Sequence, residues 1–210
     1  MRRIAFSLFA AITVGCASRP EIPPAPPAPV DPRPFLVRVA DSTITLVAFA
    51  AVQSDTANVQ ARVALREPSP ERVRYRVENA RIAAATATRY VEAAIAQGDY
   101  IREVLPNAPG ALDESASYTK YWDLGRAKLD LARSKTVSAM SAADTALTCS
   151  ASGCAATSAD HMQNYIEEAA GAAREAESLV RIANIYVAQA VNYVRASAGV
   201  RPADTTRIRR

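Results

Sequence analysis

Histidine and tryptophan each occur once in this chain of 210 residues, cysteine three times and glycine seven times. Each scarcity removes a class of chemistry. The single histidine, His161, has no glutamate three residues before it, so the Glu-x-x-His pattern by which helical bundles hold paired iron is missing. His161 with Cys149 and Cys154 would supply three ligands, one fewer than a closed zinc site takes. No serine sits in a G-x-S-x-G turn, and no glycine-rich loop is present to cradle a phosphate. Cys149 and Cys154 are separated by four residues, not by the two of a thioredoxin-like pair. The expectation is a protein that is not an enzyme and carries no metal and no cofactor. A formal charge of +4 is too small to argue for nucleic acid through net charge.

What the chain does have is alanine, the strongest helix former, in long stretches free of proline. Proline inside a helix costs about 3 kcal/mol or more. Beyond residue 34 it occurs only at Pro68, Pro70, Pro106, Pro109 and Pro202. These positions divide the body into four helical segments. In the first, residues 35–66, Val37, Ala40, Ile44, Val47, Ala51, Ser54, Ala61 and Leu65 share a face at a spacing of three and four. The run Ser42-Thr43-Ile44-Thr45-Leu46-Val47 would also suit a strand, but nothing later offers it a partner. Arg38 and Asp41 interrupt the apolar run, which argues against a membrane span.

The second helix opens with Ser69 as a cap, Pro70 in the first turn and Glu71 where the helix dipole favours an acid. Its stripe is Val73, Val77, Ala80, Ala84, Ala87, Val91 and Ala94, and it ends near Gly98 or runs on to Leu105. Asp113 is a cap for the third helix, whose stripe is Trp122, Gly125, Leu129, Ala132, Thr136, Ala139, Ala143 and Ala146. Residues 149–154 (CSASGC) read as a turn. Ser158 or Asp160 caps the fourth helix, with Ile166, Ala169, Ala173, Ala176, Val180, Ala183, Val187, Ala190 and Val194 in line. Gly199 and Pro202 stop it. Four long helices joined by short turns predict an all-α fold: an antiparallel up-down-up-down four-helix bundle of Ala-rich helices behind a Pro-rich tether. A helical-repeat solenoid is the alternative, but its units would be shorter than these segments.

The beginning of the chain has a different character. Arg2 and Arg3 precede an apolar run from Ile4 to Val14, which has the length of a secretory h-region and is too short to span a bilayer as a helix. Val14 and Gly15 then lead into Cys16. This pattern resembles the signal peptide and lipobox of bacterial lipoprotein precursors, a resemblance confined to residues 1–20. It implies cleavage before Cys16 and attachment of lipid, palmitate included, to that cysteine. Cleavage removes Arg2 and Arg3 and no acid, taking the charge from +4 to +2. Eight of the thirteen prolines fall between Ala17 and Pro34, a composition that favours a semi-rigid, extended spacer. The divisions are therefore a signal peptide (1–15), a lipid-anchored tether (16–34), a helical bundle (35–200) and a basic tail (201–210). With Cys16 assigned to lipid, Cys149 and Cys154 remain as a disulfide pair in an exported protein. By the sorting rule of lipoproteins in two-membrane bacteria, Ala17 directs the protein to the outer membrane, with the body in the periplasm.

Two surface features bear on function. Arg62, Arg66, Arg72, Arg74, Arg76 and Arg81 surround the first turn, and Asp160, Glu167, Glu168, Glu175 and Glu177 open the fourth helix. An up-down bundle sets both groups at one end. Arg62, Arg66, Arg72, Arg74 and Arg76 are the candidate partner-binding residues, suited to an anionic polymer or an acidic envelope protein. Tyr118, Tyr121 and Trp122 gather at the other end, where packing explains them. The functional reading is a cell-envelope protein, bound to the membrane through Cys16, with a structural or partner-binding role. The alternative is a small-ligand or lipid carrier using the bundle core, which alanine-dense seams disfavour because they leave little volume.

Overall fold

The computed structural model describes residues 31–151 and 158–200. Cys16, the tether up to residue 30, Cys154 and the basic tail lie outside the described residues. The body is all-helical, with no strand among the described residues: α1 (Arg33–Ala64), α2 (Pro70–Val104), α3 (Leu112–Ala151) and α4 (Ser158–Ser197), with a short 3-10 turn at Leu105–Asn107. The four helices pack against one another. α1 lies beside α2 and α4, and α3 beside α2 and α4, while α2 and α4 barely touch.

Local sequence explains most of the boundaries. α1 starts at Arg33, inside the segment expected to be tether, with Pro34 in its first turn. Proline fits there because its missing N–H would have no helical partner anyway. The Asp31 carboxylate accepts the Arg33 backbone N–H at 3.0 Å and its guanidinium at 2.7 Å. That hydrogen bonding holds the exposed Asp31 carboxyl below its usual pKa. Ser42 to Val47 are helical, as the absence of a partner strand requires, and the Thr43 hydroxyl donates to the Val39 carbonyl at 2.9 Å.

Ser69 occupies the position before α2 in extended conformation but makes no side-chain cap. Its hydroxyl donates instead to the Glu71 carboxylate at 2.5 Å. α2 does not stop at Gly98 but continues to Val104, because Gly98 is a packing position. α3 passes through Cys149 to Ala151, so Cys149 belongs to a helix and not to the expected turn. Gly110, with φ 70°, makes the bend before α3.

The buried stripes of α2, α3 and α4 are the expected ones, from Val73 to Ala94, Trp122 to Ala146 and Ile166 to Val194. That of α1 is turned by about one residue. Leu36, Thr43, Ala50, Ala57 and Ala64 face inward with Ala40, Val47, Ser54 and Ala61, while Val37, Ile44, Ala51 and Leu65 sit half-buried at its edge. α1 is apolar on nearly every side, so spacing alone leaves its rotation open. By length and composition it is apolar enough to cross a membrane. Arg38 and Asp41 therefore do not exclude a span on those grounds. Here its inner face is packed into the bundle.

The core is layered. At one end Leu36 of α1, Ile101 of α2, Leu105, Tyr118 and Trp122 of α3, and Val191 and Val194 of α4 form one cluster. At the other, Ala61 and Ala64 meet Val73, Val77, Ala143, Ala146, Ile166 and Ala169. Between them lies a waist whose buried apolar residues are all alanine, Ala57, Ala83, Ala84, Ala139 and Ala173, with Met140 packed at its edge. Burying a leucine, isoleucine or aromatic side chain stabilises by roughly 1.5–3 kcal/mol each, and those residues concentrate in the first cluster. The waist contributes close approach of helices instead of area.

Candidate functional site

The tip formed by the end of α1 and the start of α2 carries the arginines singled out in the sequence. The last turn of α1 tightens, with Arg66 N–H donating to Val63 O at 3.0 Å and Glu67 N–H to Ala64 O at 3.2 Å. Ala61, Ala64, Val73 and Val77 hold this turn against the ends of α3 and α4. The backbone beneath the arginines is thus fixed from inside.

The five arginines do not behave alike. Arg62, Arg66, Arg72 and Arg74 are exposed, and among the described residues none is tied by a hydrogen bond or ion pair. Arg76 is half-buried and structural. It donates to Gln60 Oε1 across the α1–α2 seam at 3.1 Å, lies 3.5 Å from the Glu67 carboxylate and stacks 5.8 Å from the Tyr75 ring centroid. Arg81 is engaged too, at 2.6 Å from Glu78 and 3.5 Å from Asp144 of α3. Its hydrogen bond holds the Glu78 carboxyl below the usual range, with smaller help from the charges of Arg81 and Arg74. Glu71 is likewise lowered, first by the Ser69 hydroxyl and then by a backbone N–H.

Helix electrostatics sharpen the contrast. Arg62 and Arg66 sit near the end of α1, where the macrodipole favours cations. Arg72 lies in the first turn of α2, where the same dipole disfavours one. Its charge there does not serve the helix. The acids expected at the same end are mostly engaged elsewhere: Glu167 accepts from Gln163 at 3.2 Å, Glu175 pairs with Lys135 of α3 at 2.6 Å and Glu177 with Arg181 at 2.7 Å.

Elsewhere the surface offers less. An open groove of about 410 Å³ runs between α3 and α4, lined by Val137, Ser138, Ser141, Ala142, Thr145, Tyr165 and Glu168. The Ser138 and Thr145 hydroxyls donate back to the carbonyls of Ser134 and Ser141, which leaves Ser141, Tyr165 and Glu168 as its polar groups. Among the described residues no three histidine, cysteine or acidic side chains gather as a metal set, and His161 is exposed. Tyr118, Trp122 and Tyr121 pack as a bundle end. Tyr118 Oη donates to Gly98 O at 2.8 Å, Trp122 Nε1 to Asp99 at 2.9 Å, and Tyr121 stacks on Tyr193 with centroids 5.6 Å apart. Burial raises the Tyr118 phenol well above its ordinary pKa.

What spacing missed is this division of labour. The arginine positions were legible, and Glu78 lies at helical spacing from Arg81, but Gln60 of α1, Glu67 of the turn and Asp144 of α3 are brought up by the fold. No family model and no curated protein matches this chain.

Proposed function

We propose that the protein is a lipid-anchored, all-helical component of the cell envelope with a structural or partner-binding role and no catalytic one. Its helices run up-down-up-down. Support comes from paired ends: Arg33 of α1 donates to Ser197 O of α4 at 3.0 Å, Gln60 near the end of α1 accepts from Arg76 near the start of α2, and Arg102 late in α2 pairs with Asp123 early in α3 at 3.0 Å. Cys16 carries the lipid, residues 17–32 link it to α1, and Ala17 directs the anchor to the outer membrane with the body in the periplasm.

The observation that carries the partner-binding reading is the set Arg62, Arg66, Arg72 and Arg74, exposed and unengaged on a backbone fixed from beneath. Four such cations in one tip suit an anionic partner, either an envelope polymer or an acidic protein. The alanine waist leaves little room for a carried ligand, which ranks the carrier reading second. Two measurements test the proposal. Metabolic labelling with a fatty-acid analogue should mark the wild type and not Cys16→Ser. Pull-down from envelope extracts should recover a partner that is lost when the four arginines become glutamine and at raised salt, since exposed charges are screened. Equal recovery by the quadruple variant would remove the tip from the function.

A further inference from the structure

The outer side of α1 carries exposed apolar side chains in line over about three turns. Phe49, Val52 and Val59 are 51, 59 and 46% exposed, and with Thr45 and Thr56 they follow the spacing of three and four that marks one helical face. The two threonines do not make it polar. Their hydroxyls donate to the carbonyls of Asp41 and Val52, each at 2.9 Å, so neither donor requires water. The Phe49 ring leans on Tyr90 of α2, centroids 5.6 Å apart, which extends the apolar surface across the seam. Arg38 stands at one end of the face and Arg62 at the other, with Asp55 on its border. By comparison, the exposed Ile182 and Ile185 of α4 share its outer side with Arg174, Glu175 and Arg181.

We infer that this face rests on a lipid bilayer, with Phe49, Val52 and Val59 at the boundary between headgroups and acyl chains. The inference rests on the lipid-anchor reading of Cys16. Of all the helices, α1 is the one joined directly to that anchor, and only residues 17–32 lie between them. A surface too weakly apolar to bind membranes from solution is held there at high effective concentration by such a link. The cationic residues at the margins of the face suit anionic headgroups. A second copy of the chain would also cover the face, and the experiment separates the two.

The test uses the mature, full-length chain in vesicles of phosphatidylethanolamine and phosphatidylglycerol with brominated acyl chains. Tryptophan is placed at Phe49 (F49W), and at the exposed Ala127 of α3 as a comparison (A127W); the buried Trp122 is common to both. In brominated vesicles F49W should lose most of its added emission and shift to the blue, while A127W keeps its emission. Protein that floats with the vesicles without quenching of F49W overturns the inference and leaves the anchor standing. Protein that neither takes up the fatty-acid label nor floats overturns both readings. A blue shift of F49W without quenching, together with crosslinked dimers, assigns the face to a second copy and overturns the inference.

Discussion

Gly98 lies in the interior of α2, where glycine costs about 1 kcal/mol relative to alanine. Replacing it with alanine at an open site would therefore stabilise the helix. At Gly98 the added methyl would instead fall inside the Trp122 ring, overlapping Cη2, Cζ2 and Cζ3. The indole has no free direction in which to retreat. It is fully buried, its Nε1 is bonded to Asp99 at 2.9 Å, Tyr118 stacks on it, and the Tyr118 hydroxyl is bonded to the Gly98 carbonyl itself. Overpacking of this kind costs about 1–3 kcal/mol and occasionally more, and with three ring atoms overlapped the upper end applies. Set against a propensity gain of about 1 kcal/mol, Gly98→Ala should destabilise by about 2 kcal/mol. For a domain of this size that lowers Tm by roughly 4–8 °C. Gly171→Ala is the control. It is also a helix-interior glycine, but a methyl there meets nothing within 4 Å, so it should stabilise by about 0.5–1 kcal/mol. Both variants are measured by thermal and urea unfolding. If Gly98→Ala proves as stable as the wild type, the indole is not clamped as described and the reasoning fails.

The alanine waist should resist larger side chains: Ala173→Leu, or Ala176→Leu one turn along, should destabilise by about 1–3 kcal/mol, and unchanged melting would mean the seams are looser than the packing indicates. Ser54 is fully buried and its hydroxyl has no partner among the described residues, so Ser54→Ala should be neutral or stabilising by up to about 1 kcal/mol in urea unfolding; a clear loss of stability would reveal a hydrogen bond to that oxygen. Cys149 and Cys154 should be bridged in protein isolated from the envelope. Intact mass should then rise by two hydrogen atoms on reduction with a thiol or phosphine, and alkylation before reduction would expose the pairing as wrong if it modified either thiol.

That the body is helical, and that α1, α2 and α3 give way to one another at the proline pairs, was legible in the sequence; the start of α1 and the run of α3 through Cys149 were not. Proline placement and alanine content are local properties, and a helix boundary is largely a local decision. The sequence also determined which side of α2, α3 and α4 is buried, because each carries enough charge on the opposite side to define a stripe. α1 lacked that contrast. Its charges beyond Arg33, namely Arg38, Asp41, Asp55 and Arg62, are few and spread along its length, so contact with α2 and α4 selected Leu36, Thr43, Ala50 and Ala57 as its inner line. Tertiary structure decided the remainder for the same reason: each case depends on a residue distant in the chain. Gly98 reads as a helix end until Trp122 is set beside it. Arg76 reads like its neighbours until Gln60 and Glu67 engage it, leaving Arg62, Arg66, Arg72 and Arg74 as the unengaged cations of the tip. Ser54 looks like one more small seam residue, and only the surrounding helices make its hydroxyl a buried group without a partner among the described residues.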